Sequence, residues 1–177
     1  YARNMSFEIE RLSRLANELL DYSRGEVRLD MGVVPLEDFL KKIKEYASRR
    51  FASKDISVTI ETKYQKPVVF DYERMFRVFM NLAENARKAM RRAGEFSITA
   101  EKVSNALLFT VRDTGEGMDD VTKEHIFEAF YSSSSSGGTG LGMAIVKSIV
   151  EAHEGTIQVE SKKGEGTAVS LSLPLRG

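Results

Sequence analysis

Two asparagines four residues apart, Asn81 and Asn85, with Lys88 a further turn on, share one face if the segment is helical. Asparagine is a mediocre helix former because its amide competes for backbone groups, so a pair in one helix points to side-chain work. An amide oxygen is a hard, neutral ligand, suited to one corner of a Mg²⁺ shell otherwise filled by phosphate and water. A neighbouring lysine neutralises phosphate charge. The competing reading is a plain solvated face, since Arg74, Arg77 and Arg92 lie on the same side. Asp113 is a second candidate. A carboxylate at a strand end accepts hydrogen bonds from an adenine exocyclic amine, and Gly115 and Gly117 let backbone approach a ring closely. An ordinary Asp-Thr-Gly turn explains the same residues equally well. A third cluster, Gly138-Thr139-Gly140-Leu141-Gly142, precedes a helical stretch, where exposed amides favour an anionic phosphate. It is not a dinucleotide-fold fingerprint, which needs a preceding parallel strand; here a serine-rich loop precedes it.

The elements that must position these residues follow from periodicity. Ala2, Met5, Ile9, Leu12, Ala16 and Leu19 recur at spacings of three and four, a heptad seam over about residues 2–23 that requires a partner. Pro35 opens an amphipathic helix through Leu36, Phe39, Leu40, Ile43 and Ala47. Residues 56–60 alternate as a half-buried strand, and 68–70 form a shorter one. Asp71 reads as the N-cap of a long helix over 72–92, whose core stripe is Met75, Phe79, Leu82, Ala86 and Met90. Residues 96–103 and 106–113 form a strand pair joined at Ser104-Asn105, and 121–127 a short helix. A helix over about 140–153 and strands over 156–161 and 167–173 close the chain. Several antiparallel-type strands with three longer helices give an α+β class, a two-layer α/β sandwich behind an N-terminal helical arm.

Composition excludes other classes. The chain has 177 residues and zero formal net charge, so it lacks a basic field for nucleic acid. Without cysteine there is no disulfide framework or thiolate site, and two histidines do not make a histidine-rich metal centre. No apolar run reaches membrane-spanning length, so direct membrane contact is not expected and a cytoplasmic domain is, with the option that it is the soluble part of a membrane sensor.

The clusters, in this order, resemble the nucleotide-binding domain of sensor histidine kinases, within the GHKL (Bergerat-fold) ATPase superfamily that includes DNA gyrase B, the 90-kilodalton heat-shock chaperone and MutL. Residues 81–88 resemble its N box, 113–117 its G1 box, 127–130 its F box and 138–142 its G2 box. The resemblance implies ATP and Mg²⁺ as ligands, with Asn85 coordinating Mg²⁺, Asn81 supporting the phosphate-proximal water and Lys88 touching phosphate. It further implies that Asp113 binds the adenine amine, assisted by Thr167, and that Gly115 and Gly117 shape the pocket. Phe127 and Phe130 would anchor a lid to which Gly138, Thr139, Gly140, Leu141 and Gly142 belong.

By the same resemblance residues 1–25 are the second helix of a dimerisation hairpin, 26–31 a linker and 32–177 the ATP-binding catalytic domain. The implied partners are a second kinase subunit, met through that helix, and the receiver domain of a response regulator. The γ-phosphoryl of Mg-ATP would pass to a histidine and on to the regulator. Neither His125 nor His153 matches the phospho-acceptor, and both read as structural, so this fragment is expected to bind nucleotide without phosphorylating itself. Hydrolytic branches carry a water-activating glutamate at the first position of the N box, which here is Asn81; Glu84 reads as polar support. Ser132–Ser136 occupy the place where many relatives carry threonine and lysine. Another superfamily kinase, of the anti-sigma or dehydrogenase-kinase type, and a non-catalytic docking module are the alternatives.

Overall fold

Helix α1 (Leu36–Phe51) forms where apolar residues recur at helical spacing. Glu37 and Asp38 in its first turn and Arg49 and Arg50 in its last complement the helix dipole. Helix α2 (Tyr72–Ala89) is capped as its sequence predicts: the Asp71 side chain accepts from the Arg74 amide at 2.9 Å. A short helix, α3 (Asp120–His125), starts at a second aspartate cap, Asp119, which accepts from the Thr122 amide. Helix α4 (Gly142–Ala152) begins two residues later than periodicity suggested, and no side chain caps its N-terminus. The computed structural model describes residues 28–131 and 139–176. The heptad segment, the serine run and Gly138 lie outside the described residues.

Strands β1 (Gly32–Val34) and β3 (Val68–Phe70) pair antiparallel as a small separate sheet. The main sheet orders β2 (Asp55–Thr62), β4 (Ala93–Val103), β5 (Ala106–Asp113), β7 (Gly166–Pro174) and β6 (Thr156–Lys162) as β2-β4-β5-β7-β6. Pairing is antiparallel except between β2 and β4, where Val58 opposes Phe96 and Ile60 opposes Ile98 in parallel. The several antiparallel-type strands expected are present, and the one parallel pair was not foreseen. The chain leaves β2 and returns through β3 and α2, the long crossover that a parallel neighbour requires. The strand β1 was not foreseen either.

One face of the sheet carries the core. Phe96, Ile98 and Ala100 of β4, Leu107, Phe109 and Val111 of β5, and Val169, Leu171 and Leu173 of β7 are buried at alternate positions. Helices α1, α2 and α4 supply the other layer through Phe39, Ile43, Met75, Phe79, Leu82, Val146 and Ile149. Edge-to-face rings join α1 to α2, where Phe39 meets Phe79 at 5.7 Å, and bridge the two layers, where Phe79 meets Phe109 and Phe51 meets Phe96, each at 5.2 Å. This two-layer arrangement matches the expected fold class.

Candidate functional site

Core packing of α2 through Met75, Phe79, Leu82 and Ala86 leaves Asn81, Asn85 and Lys88 together on one flank of the helix, outside the core stripe. The N-terminus of α4 meets this side. A Cβ built on Gly142 would lie 3.8 Å from the Asn81 Oδ1. Asn81 Nδ2 is buried and has no hydrogen-bond partner. Such an orphaned donor is costly unless a ligand or water meets it. Neither the Asn85 nor the Lys88 side chain has a hydrogen-bond or ion-pair partner among the described residues. Amide donors of an uncapped α4 N-terminus, with no acidic residue in its first turn, complete a cluster that suits an anion.

The other end of the same side of α2 meets the end of β5. The Gly115 backbone lies against Ala89, so close that an added Cβ would be 2.6 Å from the Ala89 Cβ. Asp113 Oδ1 accepts from the Gly115 amide at 2.8 Å. Burial raises the Asp113 pKa above the usual carboxylate range, against the pull of the Gly115 and Thr167 backbone amides. A desolvated carboxylate whose protein donors do not offset its burial is suited to an external N–H donor. Eight residues of helix separate Asn81 from Ala89, about 12 Å at 1.5 Å per residue. An extended nucleotide spans such a distance between base and phosphates.

The glycine loop after Asp113 is clamped from two sides. The Glu116 amide donates to the Ala89 carbonyl, the Gly164 amide donates to the Glu116 carbonyl, and the Met118 amide donates to Ser161 Oγ at 2.9 Å. Ser161 Oγ also bonds the Gly166 carbonyl and Thr167 Oγ1, each at 2.9 Å. Thr167 lies opposite Asp113 in the β5–β7 register. Gly117 sits at φ +62°, and a Cβ there would be 2.0 Å from the Lys162 carbonyl oxygen, so both backbone shape and space demand glycine.

Of the lid residues, Phe127 packs against the core, with Lys147 Nζ of α4 5.7 Å from its ring centre. Phe130 is 60% exposed, and its backbone amide donates to the Gly140 carbonyl at 3.0 Å. Gly140 approaches so closely, at φ +71°, that an added Cβ would be 2.5 Å from the Phe130 carbonyl carbon. The Leu141 amide donates to Thr139 Oγ1 at 3.3 Å, and the Leu141 side chain is fully buried.

Several partners near the site went unforeseen. Glu84, read from the sequence as polar support, takes a bidentate pair from Arg87, at 2.7 and 3.0 Å, and a third bond from Arg50 of α1 at 2.8 Å. Burial works to raise the Glu84 pKa, but the two guanidinium groups more than offset it and hold the group at about 2. Lys54 Nζ donates to the Arg87 and Met90 carbonyls, closing the C-terminal end of α2. The three-residue spacing of Glu84 and Arg87 was a readable signal; the distant partners Arg50, Lys54 and Ser161 left none. A separate cleft of about 500 Å³ opens between β1, β3 and α1, lined by Asp38, Lys42 and Tyr72 among others, and shares no residue with this site. Among the described residues no three His, Cys, Asp or Glu side chains gather as a metal cage. No helix among them is long and apolar enough to cross a membrane.

Residues 70–177 match the family described as histidine kinase-, DNA gyrase B-, and HSP90-like ATPase. The chain is 29% identical to the sensor histidine kinase YclK of Bacillus subtilis over 97% of its own length, and spans 38% of that protein. It resembles a full-length ShkA structure in complex with AMPPNP, with a TM-score of 0.84 and 30% identity over 93% of this chain and 36% of that one. A structure of histidine kinase ThkA in complex with the response regulator protein TrrA gives a TM-score of 0.82 at 25% identity, over 99% of this chain and 51% of that one.

Proposed function

The chain belongs to the family of histidine kinase-, DNA gyrase B- and HSP90-like ATPases, and on that premise we propose that residues 32–177 are the ATP-binding catalytic domain of a two-component sensor histidine kinase. One observation carries the reading: two opposite unmet hydrogen-bond demands along one side of α2. At Asp113 a desolvated carboxylate lacks sufficient donors, and at Asn81 a buried amide donor lacks an acceptor. An adenine amine answers the first and a phosphate-bound oxygen the second.

In this reading Asp113 selects adenine, the Thr167 amide supports the carboxylate, and Gly115 and Gly117 admit the ring. Asn81, Asn85 and Lys88 serve the phosphates together with the α4 N-terminus. Phe127, Phe130 and residues 138–142 belong to the lid. Mg²⁺, when bound, neutralises and orients the triphosphate. The fit is one amide ligand, Asn85, with phosphate and water completing the shell, since no carboxylate cage is present among the described residues.

Transfer to a supplied nucleophile, rather than hydrolysis, is favoured by two features. Asn81 is not basic, and Glu84, held near pKa 2 by two arginines, is a poor proton acceptor. The protein's contribution is then positioning and charge neutralisation, as loose phosphoryl transfer requires. The acceptor is a histidine other than His125 and His153. His153 is buried with both ring nitrogens engaged, and His125 pairs with Glu128 at 2.7 Å.

We assign residues 1–25 to a dimerisation helix that meets a second subunit, residues 26–31 to a linker, and the cytoplasm as the setting. The receiver domain of a response regulator is the onward partner, a reading supported by the ThkA–TrrA complex. Calorimetric titration with Mg-ATP tests the nucleotide site. The chain should bind, and Asp113→Ala should lose roughly ten- to a hundredfold in affinity, the worth of a hydrogen bond to a charged group, with its circular dichroism unchanged. Equal affinity in the variant would refute the adenine assignment.

A further inference from the structure

Helices α2 and α4 run antiparallel, and polar groups stand at each end of their seam. At one end, Gly142 of α4 faces Asn81 of α2. At the other, the N-cap of α2 meets the C-cap of α4: the Asp71 backbone amide donates to His153 Nε2 at 3.0 Å. His153 Nδ1 donates in turn to the Ile149 carbonyl at 2.8 Å, which fixes the imidazole as one neutral tautomer. The ring is 2% exposed. Asp71 is itself a node. Its Oδ1 accepts from the Arg74 amide and its Oδ2 from the Asp30 amide, at 2.9 and 2.8 Å.

Between these ends the two helices pack together and both contribute buried apolar residues, Met75, Val78, Phe79 and Leu82 on α2 and Ile145, Val146, Ile149 and Val150 on α4. Apolar burial is non-directional and tolerates small axial slips. A hydrogen bond does not, because its strength falls steeply with distance and angle. We propose that His153 is a positioning residue for the phosphate end of the nucleotide site: its bond to the Asp71 amide sets the register of α4 against α2, and so places the α4 N-terminus beside Asn81. The two ends lie about 15 Å apart, ten residues of helix. This rests on the nucleotide reading above and adds to it a residue that touches no ligand.

The test separates register from general damage. His153→Asn keeps a donor for the Ile149 carbonyl but presents no acceptor to the Asp71 amide. His153→Gln reaches further and restores an acceptor there. Mg-ATP and adenosine affinities are measured on the full 177-residue chain by calorimetry and by nuclear magnetic resonance titration. Adenosine engages only the Asp113 end and reports whether that pocket has folded. Wild type should bind both. His153→Asn should weaken Mg-ATP about tenfold, the size of one charge-assisted hydrogen bond, while adenosine affinity stays within twofold. His153→Gln should recover most of the loss. Equal weakening of both ligands in His153→Asn, no weakening of either, or failure of Gln to rescue would overturn the positioning role. Wild type binding neither ligand would instead overturn the nucleotide reading, and this inference with it.

Discussion

Replacing Glu84 with glutamine tests whether the arginine clamp on α2 contributes to stability, and by how much. The depression of the carboxyl from 4.5 to about 2 corresponds to roughly 3 kcal/mol favouring the ionised form in the fold. Water reduces that figure. The Glu84 side chain is 19% exposed, but its partners are 44% exposed at Arg50 and 30% at Arg87. About 1–2 kcal/mol should survive screening. At about 2–4 °C per kcal/mol for a chain of this size, Glu84→Gln should melt roughly 2–8 °C lower at pH 7. The sign of the pH dependence follows from the depressed value. The stabilisation is complete above the ordinary carboxyl value near 4.5 and is lost as pH falls from there towards 2. A protonated glutamate is nearly isosteric with glutamine, so the two proteins should converge in acid. Urea unfolding followed by circular dichroism at pH 7, 5, 4 and 3 measures the gap. No difference at pH 7, or a gap that stays constant down to pH 3, would refute the reasoning.

Gly117→Ala forces a side chain into φ +62° and within 2.0 Å of the Lys162 carbonyl oxygen, so it should destabilise by at least about 1–2 kcal/mol and weaken nucleotide binding, as a thermal melt and a titration would read. Gly32→Ala, with nothing within 4 Å of the added carbon, is the control and should melt like wild type. Asn85→Ala should lower Mg-ATP affinity about tenfold while leaving ATP binding in a chelator unchanged, as calorimetry with and without Mg²⁺ would determine. An equal loss in both conditions would remove Asn85 from the metal shell.

Much of the scaffold was legible because it is local. The 3.6 period in α1 and α2, the Asp71 cap and the β4–β5 hairpin each depend on residues within a few positions, and the Ser104-Asn105 corner turns at Ser104, φ +55°. The strand β1 escaped because three residues show no period, and its partner lies 36 positions away at Val68–Phe70. The parallel register of β2 on β4 is likewise non-local; alternation assigns each strand a face but no neighbour. Residue types singled out Asp113, Asn81 and Asn85 as candidates, and the fold brings the asparagines and the Asp113 loop to opposite ends of one helix side. What the chain order concealed was the supporting shell. Ser161, 43 residues from Met118, holds the glycine loop, and Arg50, 34 residues from Glu84, ties α1 to α2. The backbone tie between Phe130 and Gly140 likewise joins positions ten residues apart, which no local pattern marks.

The Phe130–Gly140 pairing acts as a neck. Its backbones touch, with the amide-to-carbonyl bond at 3.0 Å, so two positions ten residues apart in the chain are held side by side. A change in the number of residues between two ends fixed in this way need not shift the helices on either side. Doubling the length of a flexible loop costs only about 0.6 kcal/mol in closure entropy. The contact at Gly140, two residues before α4 begins, therefore keeps the start of that helix in place whatever chain length separates the two positions.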